Sequence, residues 1–229
     1  MKITFGKGIL CCGCKRRFGS RDIAYQYKET CLCNNCHSKF MRYSDEAYFE
    51  VSDNVEFLVP AFHYKRLCRK IFLDFKFNSC EAYGHILGMA MADVLKNRDD
   101  FSEYSYIVPV PVSKKRFMER GYNQSEILAE YISGVFNIPI YNALRRKRHS
   151  APQSTVKNSR RAENVKDAYE TIADVTGKNV VLIDDICTTG STVSECVKTL
   201  QKSGAGKVCV ISGAYNVRMW VDRTIHRFI

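Results

Sequence analysis

The chain has 229 residues, of which 45% are hydrophobic and 26% are charged. This length suits one compact α/β domain with a small appendage and is too short for two complete enzymes. The composition supports a buried core and excludes a largely disordered protein. We find neither the roughly 20 uncharged apolar residues of a spanning helix nor the apolar region of a signal peptide. We therefore expect a cytoplasmic protein that is not integral to a membrane.

Positive charge dominates, with 35 Lys and Arg residues against 24 Asp and Glu residues, for a net charge of +11. Such a balance favours polyanionic partners, namely nucleic acid, an acidic membrane surface or a phosphorylated small molecule. The alternative is that the basic surface serves solubility alone. The net charge alone does not identify which of these partners binds.

Cysteine spacing predicts a metal site near the start of the chain. Cys11 and Cys14 form one C-x-x-C pair, Cys33 and Cys36 form another, and 18 residues separate them. In a reducing compartment this spacing indicates a four-cysteine zinc site rather than disulfides. The neighbours Cys12, Cys31 and His37 leave the ligand register open, but only the first four cysteines give both two-residue spacers.

A closed shell of four thiolates has no open position for chemistry, so the zinc is predicted to be structural. It would hold residues 1–45 as a small zinc-ribbon domain beside a second domain at residues 46–229. A functional interpretation is that the ribbon presents basic residues to a partner: Lys15, Arg16, Arg17 and Arg21. The scattered cysteines are predicted to be small buried hydrophobic residues: Cys68, Cys80, Cys187, Cys196 and Cys209.

Strand and helix patterns alternate along the rest of the chain. Residues 48–64 predict paired strands, and helical spacing follows at 64–77 and 85–96. A buried strand from Ser105, a helix at 123–136 and a strand at Pro139 come next. Residues 145–161 are basic without apolar periodicity and predict a mobile loop. A strand at 179–186, a helix at 191–201, a strand at 207–214 and a packed terminal element at 215–229 complete a pattern typical of an α/β parallel sheet flanked by helices.

Side chains typical of a ligand-binding site cluster where the predicted strand at 179–186 ends. Asp184 and Asp185 emerge there, and a hydroxyl-rich turn at 188–192 leads into a helix. Ligands of parallel sheets bind at the carboxyl ends of strands, and backbone N–H groups at a helix start bind phosphate. Adjacent carboxylates accept hydrogen bonds from vicinal hydroxyls or bind a divalent metal. The segment predicts a ribose phosphate site, although acids and threonines that merely cap the two elements are an alternative.

The run VLIDDICTTGST resembles the phosphoribosyl pyrophosphate (PRPP) motif of type I phosphoribosyltransferases. The resemblance implies that Asp184 and Asp185 hold the ribose 2- and 3-hydroxyls of PRPP, which binds with Mg²⁺. It also implies that the following loop holds the 5-phosphate through Cys187, Thr188, Thr189, Gly190, Ser191 and Thr192. Cys187 is a departure from the motif at a variable loop position.

Residues 108–129 resemble the ComF (competence protein F) family, which also carries an N-terminal four-cysteine zinc ribbon. Its Arg-Gly-aromatic-Asn-Gln signature corresponds here to Arg120, Gly121, Tyr122, Asn123 and Gln124. The loop at 112–120 would bind pyrophosphate through Ser113, Lys114, Lys115 and Arg116, with a solvated basic turn as the alternative. Further matches are Gln153, Arg160, Arg161, Asn164, Val165 and Tyr169. A weaker match, FKF around Lys76, receives no function.

The resemblance implies a type I phosphoribosyltransferase-like fold, and the basic loop at 145–161 would close over departing pyrophosphate through Lys157, Arg160 and Arg161.

Two functions stay open. The preferred one is a competence protein for DNA uptake that binds PRPP or a related phosphate ligand, single-stranded DNA and competence-machinery proteins. Four ribbon aromatics would then stack on bases or simply form the core of the ribbon: Phe18, Tyr25, Tyr27 and Phe40. The other is an active phosphoribosyltransferase of nucleotide salvage. Catalysis, acceptor and oligomeric state stay open.

Overall fold

A computed structural model describes residues 8–43, 48–49, 55–147, 167–216 and 224–225. The first of these ranges forms a four-stranded ribbon of order β2-β1-β4-β3. Its strands are β1 (Ile9–Cys11), β2 (Arg17–Phe18), β3 (Ile23–Tyr27) and β4 (Thr30–Cys33), and a short helix α1 (Asn34–His37) follows. β1 and β4 are parallel, whereas the other pairs are antiparallel. Because parallel strands end at the same edge, the two C-x-x-C pairs meet there.

Within the described residues, the main sheet has six strands in the order β12-β5-β6-β11-β10-β7. They are β5 (Tyr48–Phe49), β6 (Leu58–His63), β7 (Tyr106–Pro109), β10 (Val180–Cys187), β11 (Val208–Tyr215) and β12 (Thr224–Ile225). The four strands from β6 to β7 are parallel, and β5 and β12 add an antiparallel edge. The predicted parallel sheet and the paired strands at 48–64 are therefore confirmed.

Helices cover both faces of this sheet. The helices are α2 (Arg66–Phe77), α3 (Glu81–Leu95), α4 (Lys114–Arg120), α5 (Gln124–Phe136) and α6 (Ser191–Lys202). In β10, Val181 and Ile183 join a core with α2, α3 and α5, whereas Val180 and Leu182 join a second core with α6. Alternate side chains of a strand point to opposite faces, so a strand buried on both sides is apolar throughout. The helices predicted around 64–77, 85–96, 123–136 and 191–201 are confirmed within a few residues.

The prediction of a loop at 112–120 is wrong, because most of this segment forms helix α4. The Ser113 hydroxyl accepts a hydrogen bond from the Arg116 N–H and begins the helix, and Gly121 ends it with φ +84°. Local capping, rather than apolar periodicity, specifies so short a helix, which is why the periodicity did not predict it.

The mobile loop predicted at 145–161 is wrong at its start. Arg145 and Arg146 belong to β8 (Leu144–Arg146), which pairs antiparallel with β9 (Tyr169–Thr171), a strand that the sequence did not predict. The partners are brought together by tertiary structure, as in the 2.9 Å contact between Arg145 Nε and Glu170 Oε1. Residues 148–166, with the predicted Lys157, Arg160 and Arg161, lie outside the described residues. Near Pro139 the structure forms only a bridge between Ile140 and Ile107.

The ribbon packs directly on the main sheet and its helices. Phe40 meets Phe62 edge-on with ring centroids 5.1 Å apart, and Tyr27 stacks on His85 at 3.8 Å. The Tyr25 hydroxyl donates to Asp93 Oδ2 over 3.0 Å. These contacts favour the packing interpretation of the ribbon aromatics, and burial of Phe40 excludes base stacking by that ring. Within the described ranges, every helix is too short or too polar to cross a membrane.

Candidate functional site

A cleft of about 640 Å³ opens at the carboxyl ends of the parallel strands. Nine of the predicted site residues line it: Arg116, Arg120, Gln124, Asp184, Asp185, Thr188, Thr189, Ser191 and Thr192. Other lining residues were not singled out as site residues, among them Tyr64, Arg69, Lys76, Phe77, Tyr169 and Asn216. Arg146, which also lines the cleft, belongs to the basic loop predicted at 145–161. The strand-end position follows from the parallel topology.

The acidic pair lies in the second half of β10, where both residues are buried. Asp184 Oδ1 accepts the Asp185 N–H over 2.9 Å, and Asp185 Oδ1 accepts the Ile186 N–H over 2.8 Å. Burial raises the pKa of Asp184, and the adjacent charge of Asp185 adds to that increase. The backbone thus holds both carboxyl groups in a set orientation beside the cleft.

Lys76 supplies the counter-charge from the last turn of α2. Its Nζ lies 2.9 Å from Asp185 Oδ2 and 3.0 Å from Asp185 Oδ1. The two residues are separated by 109 positions in the chain. The weak FKF match was the only sequence signal for this contact.

A candidate phosphate cradle, the turn at 188–192, adjoins the acids at the start of α6. Gly190 precedes the helix in the left-handed conformation with φ 68°, and no side chain caps the first turn. The Thr189 and Ser191 hydroxyls hydrogen-bond each other over 2.9 Å. Uncapped N–H groups at the positive end of a helix bind anions, so this turn fits a phosphate group.

Basic side chains surround the rest of the cleft. Among the described residues lining it, five are basic and two are acidic, the basic ones being Arg69, Lys76, Arg116, Arg120 and Arg146. Arg146 donates to the Tyr169 hydroxyl over 3.3 Å and lies over its ring. Burial, followed by the charge of Arg116, lowers the pKa of Arg120. Cations in a walled cleft raise the local concentration of anionic ligands.

The Arg-Gly-aromatic-Asn-Gln signature mainly makes hydrogen bonds that hold neighbouring elements of the fold together. The buried Tyr122 hydroxyl donates to the Phe75 carbonyl over 2.6 Å, joining the segment just before α5 to α2. Asn123 donates to the Val110 carbonyl over 3.1 Å, and its side-chain oxygen accepts the Ser125 N–H at the start of α5. Of the five signature residues, only Arg120 and Gln124 line the cleft, where Arg120 donates to Gln124 Oε1 over 3.0 Å.

The structure does not bring every predicted residue to the cleft. Ser113 caps α4, and Lys114 and Lys115 are exposed on it, outside the cleft lining. Cys187 is buried in the second core beside α6, so its thiol does not fit the predicted role in binding substrate. Gly190 contributes through its backbone alone.

The four predicted zinc ligands lie together, with the Sγ atoms of Cys11, Cys14, Cys33 and Cys36 within 4.8 Å of one another. Tetrahedral Zn–S bonds of about 2.3 Å place sulfurs roughly 3.8 Å apart, so the cluster fits one such ion. Burial opposes thiolate formation at Cys11, but N–H groups led by that of Cys33 lower its pKa to about 7. His37 instead packs against Tyr25, and neither Cys12 nor Cys31 belongs to the cluster. The cluster could hold a metal ion in the predicted register.

Comparison with known proteins agrees with these features. Residues 122–216, which include the acidic pair and the phosphate cradle, match the phosphoribosyl transferase domain family. Competence protein F of Haemophilus influenzae is 27% identical over 218 residues, covering 91% of each chain. Competence protein ComFC of Streptococcus pneumoniae is 27% identical over 201 residues, covering 80% of this chain and 87% of the relative.

DNA utilization protein YhgH of Escherichia coli (strain K12) is 36% identical over 105 residues, which cover 45% of this chain and 46% of the relative. This match spans about half the length of the relative, whereas the two competence proteins match along most of theirs. The zinc-type cysteine cluster, the sheet flanked by helices and these relatives agree with one another. The chain is similar to competence proteins F and ComFC along most of its length, carries a match to the phosphoribosyl transferase domain, and has an N-terminal cluster of four cysteines.

Proposed function

We propose that the chain binds PRPP with Mg²⁺ in the cleft and acts in DNA uptake during natural transformation. One observation carries the proposal: a buried acidic pair and an uncapped helix start lie side by side in a cleft whose charged lining residues are mostly basic. A vicinal diol needs acceptors, a phosphate needs N–H donors and a diphosphate needs positive charge. The cleft supplies all three within one strand-turn-helix unit and its rim.

Each part of PRPP has a matching group. Asp184 and Asp185 would accept the ribose hydroxyls, the turn at 188–192 would bind the 5-phosphate, and Arg116 and Arg120 would face the diphosphate. Carboxylate and diphosphate oxygens are the hard ligands that Mg²⁺ takes, so the donor set fits this ion. When bound, Mg²⁺ neutralises the diphosphate. The four thiolates of the ribbon fit zinc, which would stabilise the ribbon without chemistry of its own.

Calorimetric titration of Mg²⁺ and PRPP into the zinc-loaded protein tests the proposal. Replacing Asp184 or Asp185 with Asn weakens hydrogen bonds to charged groups, each worth about 1.5–3 kcal/mol, so we expect roughly 10- to 100-fold weaker binding. Asp22→Asn is the matched control because Asp22 is exposed on the ribbon, away from the cleft. Absence of binding by the folded wild type would refute the proposal.

The DNA part of the proposal rests on the relatives named for competence and DNA utilization and on the net charge of +11. Arg16 and Arg21 are exposed on the ribbon and would contact the backbone of single-stranded DNA. Replacing both with Ala should reduce the slope of log affinity against log salt by about 1.4, since each phosphate contact on a single strand contributes about 0.7. The control removes Lys198 and Lys202, both exposed on α6. Equal slopes for the two variants would contradict a ribbon interface.

A second candidate is catalysis by a phosphoribosyltransferase. It is favoured by Phe77, which is 65% exposed at the edge of the cleft with the Arg120 guanidinium 5.3 Å from its ring centre. A nucleobase could stack on this ring beside the ribose. Pyrophosphate release from PRPP in the presence of individual purines or pyrimidines measures this activity, and binding without release for every base would exclude catalysis with those acceptors.

A further inference from the structure

The ammonium of Lys76 forms an ion pair with both carboxylate oxygens of Asp185. It lies 2.9 Å from one and 3.0 Å from the other, with both side chains largely removed from water. Asp185 Oδ1 also accepts the Ile186 N–H. The acceptor that a ribose diol needs is therefore already engaged by a charged donor.

Contacts on both sides hold the last turn of α2, and with it Lys76, in place. Asp74 faces the ribbon, where Lys15 Nζ approaches its Oδ2 to 3.5 Å and donates to the Tyr83 hydroxyl over 2.6 Å. The Phe75 carbonyl accepts the buried Tyr122 hydroxyl. Because the turn is anchored at the two residues before Lys76, its four-carbon side chain is the part that can move.

When ribose binds, its neutral hydroxyl donors replace the charged ammonium of Lys76 as the partners of Asp185. The ammonium of Lys76 then needs another anion, since an unpaired half-buried charge is unfavourable. C1 of ribose is bonded to C2, so a diphosphate on C1 lies beside the diol and within reach of Lys76. The 5-phosphate lies across the ring, at the start of α6. Only a sugar phosphate that carries an anionic group on C1 provides the replacement.

We propose that Lys76 is a specificity-determining residue, which releases Asp185 to the ribose hydroxyls and pairs with a diphosphate on C1. This inference rests on the proposed ribose phosphate site. It makes the cleft selective for 5-phosphoribosyl 1-diphosphate over ribose 5-phosphate, although both carry the same diol and the same 5-phosphate.

The test compares these two ligands by calorimetry with Mg²⁺ in the wild type, Lys76→Met and Lys76→Arg. In Lys76→Met we expect PRPP affinity to fall by roughly tenfold or more, the value of one charge-assisted hydrogen bond. Ribose 5-phosphate affinity should change by less than about threefold, because loss of the donor also removes a competitor for Asp185. The Arg variant keeps the charge and should recover part of the selectivity.

Lys70→Met is the matched control, since Lys70 is exposed on the same helix and outside the cleft. It removes the same charge, so it measures the general electrostatic loss for a more anionic ligand, and thermal unfolding checks that each variant is folded. Equal losses of both ligands in Lys76→Met, or equal effects of Lys70→Met and Lys76→Met on PRPP, would overturn the inference and leave the ribose phosphate site standing. Binding of neither ligand by the wild type would instead refute the proposed site, and the inference with it.

Discussion

The ribbon and the cleft assemble their key groups in different ways. All four clustered cysteines of the ribbon come from positions 11 to 36, at the ends of two adjacent parallel strands. The cleft joins Lys76 to Asp185 across 109 positions and adds Arg120 from a third segment. Local spacing therefore predicts the metal cluster, whereas a site collected from separate helices and strands is only partly visible in any one motif.

The two regions also differ in how strongly they depend on single groups. The proposed structural zinc ion would supply folding free energy on the order of 10 kcal/mol through four bonds, whereas ligand binding in the cleft would depend on several hydrogen bonds of about 1–3 kcal/mol each. They meet at α2 and α3, where Lys15 contacts Asp74 and Tyr83. Perturbing one region and measuring the other shows how far they act independently.

The largest effect is expected from Cys33→Ser, which removes one of the four clustered thiolates. Loss of metal should lower the melting temperature by well over 10 °C, since each kcal/mol corresponds to about 2–4 °C in a chain of this size. The control Cys12→Ala alters a buried cysteine outside the cluster and should retain the metal. Zinc content and thermal unfolding measured on the same samples check both expectations, and metal loss in Cys12→Ala alone would show that the register is wrong.

A pH effect on stability should arise in the cleft. Burial and the neighbouring Asp185 raise the pKa of Asp184 to about 7. The native state then binds more protons than the unfolded chain between the unfolded carboxyl pKa of about 4 and pH 7, so stability falls as pH rises through this window. Relative to Asp184→Asn, the wild type should lose about 1–3 kcal/mol between pH 5 and pH 8. Denaturant unfolding without Mg²⁺ measures the difference, and parallel pH profiles would disprove it.

Gly190→Ala tests the local part of the cleft. The left-handed φ of 68° disfavours any residue with a Cβ by about 1–2 kcal/mol, so stability should fall. A shift of the turn should also weaken PRPP binding by several-fold. The control Gly134→Ala lies exposed in the last turn of α5, where the added Cβ meets nothing within 4 Å, and should raise stability by up to about 0.5–1 kcal/mol. Unchanged stability and binding in Gly190→Ala would contradict the phosphate cradle.

The smallest effect is expected from Tyr122→Phe, which removes the hydrogen bond to the Phe75 carbonyl. The loss of about 1 kcal/mol should lower the melting temperature by about 2–4 °C. Tyr141→Phe is a matched control because its exposed hydroxyl also donates to a backbone carbonyl, that of Asp174. Water replaces the exposed bond, so the control should change little, and equal effects in the two variants would rule out a special role for the buried contact.

Sequence reasoning predicted the contiguous parts of the fold and the site. The apolar run before Asp184, the hydroxyl-rich turn after Asp185 and the four cysteines each stand within a short segment whose spacing implies geometry. Helix α4 was missed because its caps, Ser113 and Gly121, specify it without apolar periodicity. The β8–β9 pair was missed because its two strands are separated by residues 147–168 and each is short.

The cysteine cluster, the apolar strand and the acidic turn could be predicted from the sequence, because each depends on neighbours along the chain. The signature at residues 120–124 was also visible in the sequence, as a resemblance to the ComF family. The tertiary structure was needed to show that Tyr122 and Asn123 connect the start of α5 to α2 and to the segment after β7, while Arg120 and Gln124 line the cleft. It likewise placed Lys76 on Asp185. Such contacts depend on how helices pack on the sheet, and no spacing along the chain encodes that packing.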